Sequence, residues 1–127
     1  MKKMNAPTDL INAVQTYFDA LYICDTELLN KVFHKNSSLF DADTGKVFVE
    51  PIASFIKDVG GRVSPASKGQ EPETEILMID WLSSNSATEK IRIRAHHNVF
   101  VDHLGFVNGE DGWKIVSKIW HLEKVIA

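Results

Sequence analysis

Few residues in this 127-residue chain are equipped for chemistry: one cysteine, five histidines and a handful of carboxylates set among apolar neighbours. Cys24 precedes Asp25, whose negative charge disfavours a thiolate, so a nucleophilic role is not expected. His96 and His97 are adjacent and on a strand would point to opposite faces. With His34, His103 and His121 they form no pair of metal-ligand spacing, so no metal and no cofactor is expected. Asp102 stands apart. It alternates with Phe100, Leu104 and Phe106 and shares their inward strand face. A carboxyl buried there must lose its charge or find a partner, and Tyr17, Tyr22 or the backbone could provide one. Asp41 lies beside the turn sequence Asp43-Thr44-Gly45, where a carboxylate often serves the turn itself.

These residues need elements to position them. Asn108–Gly112 is rich in turn formers and opens into Trp113–Trp120, an alternating run of aromatic and β-branched residues. Plain alternation puts Trp113, Ile115, Ser117 and Ile119 on one side, and Lys114, Val116, Lys118 and Trp120 on the other. Val99–Val107 pairs with this run as a hairpin. Before it, Lys90–Ala95 alternates with Ile91 and Ile93 inward and Lys90, Arg92 and Arg94 outward. Glu75–Leu82 is apolar on both faces, which predicts a strand covered on both sides.

The N-terminal half reads differently. Leu10, Val14, Tyr17, Phe18 and Leu21 form the apolar stripe of a long helix, with Thr8 as its expected N-cap. Asp25 or Thr26 caps a second helix that turns Leu28, Leu29, Val32 and Phe33 inward. His34–Ser37 reads as an exit loop, Ser38–Asp41 and Lys46–Val49 as short strands. Pro51 suits the start of a third helix through Ile52, Phe55 and Ile56, stopped by Gly60-Gly61. Residues 1–6 are expected to be a frayed tail, and 62–72, with Pro65, Gly69 and Pro72, a mobile loop over a site. Helices segregated from strands define an α+β fold: a single domain over residues 1–127, with a curved antiparallel six-stranded sheet around the first helix.

Composition bounds the function. A net charge of −3 argues against nucleic acid. A single cysteine fits a reducing, cytoplasmic compartment, and no apolar run reaches the roughly 18 residues of a membrane span. On the outward sheet face, Val101, His103, Val116 and Trp120 would form a partly apolar patch rimmed by arginines, which predicts a homodimer.

The order of elements resembles the nuclear transport factor 2-like superfamily over nearly the whole chain. Leu28–His34, Val101–Leu104 and above all Gly112–His121 (Gly-Trp-Lys-Ile-Val-Ser-Lys-Ile-Trp-His) are similar to its subgroup described as "Putative lumazine-binding". Two departures concern the backbone: Lys35 stands where a proline is usual, and Ile23-Cys24 replaces a glycine-containing helix junction. The resemblance implies a cone-shaped cystatin-like fold and a small-molecule cavity, here expected to be lined by Tyr17, Phe33, Trp81, Phe100, Asp102, Leu104 and Trp113. It implies an aromatic or polycyclic ligand. Ketosteroid isomerases share this fold, and their pattern implies an alternative in which Tyr17 and a neutral Asp102 donate to a developing enolate while Asp41 moves the proton. A dimeric accessory module without ligand is the third expectation.

Overall fold

The computed structural model describes residues 6–127. Helix α1 (Ala6–Ile23) carries the expected stripe, with Leu10, Val14, Tyr17, Phe18 and Ala20 all buried. It begins earlier than its cap signal predicts: Thr8 lies within the first turn, and Pro7 occupies an early position where a missing N–H costs nothing. Of the tail expected over residues 1–6, residues 1–5 lie outside the described residues and Ala6 is helical. Asp25 caps α2 (Thr26–Val32), its Oδ1 accepting from the Glu27 and Leu28 amides at 2.9 and 3.2 Å. Cys24 at this junction has φ +54°, the left-handed region where glycine would be unstrained.

Six strands follow in the spatial order β2-β1-β6-β5-β4-β3. They are β1 (Phe33–Asp41), β2 (Phe48–Pro51), β3 (Thr74–Ser83), β4 (Ser86–Ala95), β5 (Asn98–Gly109) and β6 (Gly112–Val125). Helix α3 (Ile52–Gly60) separates β2 from β3, starting after Pro51 and ending at Gly61. This is the α+β architecture read from the sequence, a mostly antiparallel sheet with helices on one face. One seam differs: β1 and β6 run parallel. The predicted exit loop is absorbed into β1, but its register breaks between Phe33 and Ser38, where Asn36 N–H donates to His34 Nδ1 and Ser37 Oγ to the His34 carbonyl.

Two strands depart from their sequence pattern. β3 pairs only with β4, so it is the sheet's edge rather than a strand covered on both sides. Met78 and Leu82 are exposed there, and Trp81 partly so. In β6, Gly105 pairs with Ser117 and Phe106 with Ile115, leaving Val116 as an extra residue, a bulge. Alternation therefore reverses past Val116. Trp113 and Ile115 point inward as expected, but beyond the bulge Lys118 and Trp120 face inward and Ile119 faces solvent. No helix among the described residues is long and apolar enough to cross a membrane.

Candidate functional site

The inward face of the sheet, α1, α3 and the segment after α3 enclose a cavity of about 430 Å³. Its walls are mainly apolar, with Phe18, Leu39, Phe55, Ile93, Phe100 and Trp120 among them. Phe100 and Trp120 meet edge to face with centroids 5.8 Å apart. Asp102 lies in the wall and is 1% exposed.

Three elements converge on that carboxylate. From α1, the Tyr17 hydroxyl donates to Asp102 Oδ2 at 2.5 Å. From β6, past the bulge, Lys118 Nζ stands 3.8 Å from the same oxygen. From α3, Phe55 lies under the ammonium, its centroid 4.5 Å from Nζ, with the Tyr17 ring at 5.3 Å. Burial, then the charge and hydrogen bond of Asp102, hold the Tyr17 hydroxyl well above its ordinary range, so it acts as a donor. Burial pulls Lys118 down, opposed by the attraction of Asp102. The pair is thus a buried ion pair with one oxygen served twice. Asp102 Oδ1 has no partner at all.

The loop over the cavity is tied down. Gln70 exchanges two hydrogen bonds with the His96 backbone, at 2.9 and 3.0 Å. Tyr22 Oη donates to the Gln70 carbonyl at 2.6 Å, and His96 Nε2 lies 2.8 Å from the Val63 carbonyl oxygen. His96 takes φ +56° in the two-residue turn between β4 and β5 to make these contacts. The segment expected to be mobile over a site is a strap bonded to α1 and to a hairpin tip, and its Arg62, Val63, Pro65 and Pro72 line the cavity.

Residues 7–121 match the family model described as "Putative lumazine-binding". The chain belongs to that family. No curated protein matches it. Among solved structures it is similar to an NTF-2-like protein of unknown function from Silicibacter pomeroyi DSS-3, with TM-score 0.79 and 20% identity over 97% of this chain and 100% of that one. It is also similar to an NTF2-like protein of unknown function from Shewanella baltica OS155, with TM-score 0.83 and 19% identity over 98% of each chain. A cystatin-like domain of unknown function from Nostoc punctiforme PCC 73102 matches with TM-score 0.73 and 13% identity, over 98% of this chain and 81% of that one. At such identities these likenesses establish the fold alone.

Of the residues expected at the cavity, Phe100 and Asp102 line it, and Tyr17, fully buried, bonds Asp102 without lining it. Phe33 packs behind Tyr17, with centroids 5.9 Å apart, and does not line the cavity. Leu104 is fully buried. Trp81 and Trp113 meet each other at 5.8 Å in another part of the inward face, again away from the cavity. Asp41 is also absent from the lining: its Oδ2 accepts from the Asp43 amide at 3.2 Å, the turn role its neighbours suggest. Trp120, expected on the outward patch, has its ring in the cavity wall because of the bulge.

Sequence reasoning missed Lys118, Phe55, Arg62 and Glu89. A signal for Lys118 existed. Gly105, alone inside an alternating strand, marks a close approach, and a Cβ there would meet Ser117 Oγ at 2.6 Å. Glu89 had none: it replaces an apolar residue in the series Ala87, Ile91, Ile93 and is 1% exposed with neither oxygen paired. Burial pushes it up to about 7.

Proposed function

We propose that the protein binds a flat small molecule bearing a ring N–H, held between α1, α3 and the sheet. The observation that carries this reading is Asp102 Oδ1, a buried acceptor without a donor in the wall of a largely apolar cavity. Buried polar atoms are almost always paired, so an unpaired acceptor on a residue of an apolar cavity wall is what a ligand's donor would complete. The family's description, with its pteridine-type ligand, supports the same chemistry. Tyr17 and Lys118 act as positioning residues, fixing Oδ2 so that Oδ1 faces the ligand. An acid–base enzyme of the ketosteroid isomerase kind would need Asp41 at the cavity, and Asp41 is engaged in its turn. Calorimetry with lumazine, a pterin and a flavin tests the reading. At least one is expected to bind, and Asp102→Asn to weaken it by about tenfold or more, the cost of a lost hydrogen bond to a charged group. No binding by any of the three would overturn it.

A second reading concerns the outward face. Directly paired residues form a row there across the strands: Val49, Phe40, Ile119, His103, Lys90 and Met78. Val49, Phe40, Ile119 and Met78 are exposed and apolar, Ile119 at 58%. This row supports the homodimer expected from Val101, His103 and Val116, with Ile119 in the place assigned to Trp120. Sedimentation of Ile119→Glu should show monomer where the parent chain is a dimer; a parent chain that sediments as a monomer would remove this reading.

A further inference from the structure

Seven charged side chains line the cavity, four carboxylates and three cations, and one of the cations has no partner of its own among the described residues. Arg94 donates to Glu73 Oε2 at 2.6 Å and to the His96 carbonyl at 2.7 Å. Lys118 faces Asp102. Asp19 accepts from Gln15 at 2.9 Å. Glu50 accepts from Ser54 at 2.8 Å, and burial, then a hydrogen bond shared with Asp58, raise it above the usual carboxylate range. Arg62 remains. Among the described residues its guanidinium has no ion pair and no hydrogen bond; it rests over the Phe55 ring, Cζ 5.6 Å from the centroid.

The placement of that cation is specific. Phe55 carries Lys118 as well, so two cations share one ring, and the charge of Arg62 helps to lower Lys118. Asp102 stands beside Lys118, the charge of Glu50 acts on both cations, and the second oxygen of Asp102 lacks a donor. A buried acceptor oxygen without a donor and an exposed, planar, five-donor cation with no ion-pair or hydrogen-bond partner among the described residues thus line one cavity. Guanidinium forks match carboxylates in plane, and an aromatic ring beneath the fork fixes its orientation.

We infer that the ligand is an acidic heteroaromatic compound whose ring N–H meets Asp102 Oδ1 and whose carboxylate substituent is held by Arg62. This rests on the ligand-binding reading above and adds the charge and the orientation of the occupant. The acid lies at the mouth, against Arg62, and the ring lies inward between Phe100, Trp120 and Phe55. A neutral ring would satisfy Asp102 and leave Arg62 unused.

The test compares plain lumazine with a lumazine carboxylic acid by calorimetry, on the parent chain and on Arg62→Gln, at low and high salt. Arg62 is exposed, so its replacement leaves the core packing untouched. The carboxylic acid is expected to bind about tenfold or more tighter than lumazine, the scale of one charge-assisted hydrogen-bonded contact. That ratio should fall to near one in Arg62→Gln and shrink with salt in the parent chain. Equal affinity of the two compounds for the parent chain, or an unchanged ratio in Arg62→Gln, would overturn the inference while leaving ligand binding standing. Absence of binding by both would sink the ligand reading and this one with it.

Discussion

The inward face of the sheet holds two buried acids on adjacent strands, and they are treated oppositely. Asp102 on β5 receives a tyrosine hydroxyl and a lysine from two other elements and opens onto a cavity. Glu89 on β4, paired directly with Leu104 and so diagonal to Asp102, receives nothing. The indole nitrogen of Trp113 on the same face is likewise unpaired. The first acid is charge-balanced and built into its surroundings. The second is accommodated by holding a proton near neutrality. Burial alone therefore does not mark a working carboxylate; provision of partners does.

The sharpest way to break this contrast is Lys118→Met. Removing the cation strands a buried carboxylate and should cost about 3–5 kcal/mol in urea unfolding. The double variant Lys118→Met with Asp102→Leu should recover most of that loss, because paired burial is close to neutral against an apolar isostere. A single variant as stable as the parent would place Asp102 and Glu89 in the same class.

Glu89→Met should act in the other direction. The unfolded chain's carboxyl titrates near 4.5 and the folded one near 7, so the folded state retains a proton through that interval. Stability is whole below 4.5 and declines as pH rises through about 7. The loss above neutrality is of order 1–3 kcal/mol. Glu89→Met should remove that decline and be more stable than the parent above neutrality. A variant that instead loses ligand binding would show that Glu89 belongs to the site. The smallest effect is expected of Trp113→Phe, which trades packing against Trp81 for relief of the unpaired indole N–H. The net change should stay within about 1 kcal/mol, read from the unfolding midpoint.

The fold was legible because its signals are local and repeated. The stripe on α1, the Asp25 cap, the glycine stop of α3 and the alternation of β4 each agree with the structure. The burial argument for Asp102 left its partner open among Tyr17, Tyr22 and the backbone, and the structure selects Tyr17, 85 residues away in sequence. What escaped was face assignment beyond an irregularity. One extra residue in β6 exchanged the roles of Lys118, Ile119 and Trp120, and no periodicity argument carries through such a point. The edge position of β3 escaped for another reason: apolar composition on both faces describes a buried strand and an uncovered one equally well.

The bulge at Val116 has a consequence for how this scaffold can change. Val116 is the one residue of β6 that faces no partner on β5 between Ile115 and Ser117, so it is surplus to the pairing on either side of it. Losing its codon would leave Ile115 opposite Phe106 and Ser117 opposite Gly105, and the strand would alternate without a break. Trp113, Ile115, Lys118 and Trp120 would all stay inward, with the ammonium and the indole still in the cavity. A one-residue deletion is thus absorbed at this point, whereas a one-residue insertion in the regular stretch beyond it would turn the following side chains to the opposite face unless a second bulge formed. Chains of the same architecture can therefore differ in length here and keep the same polar content in the cavity.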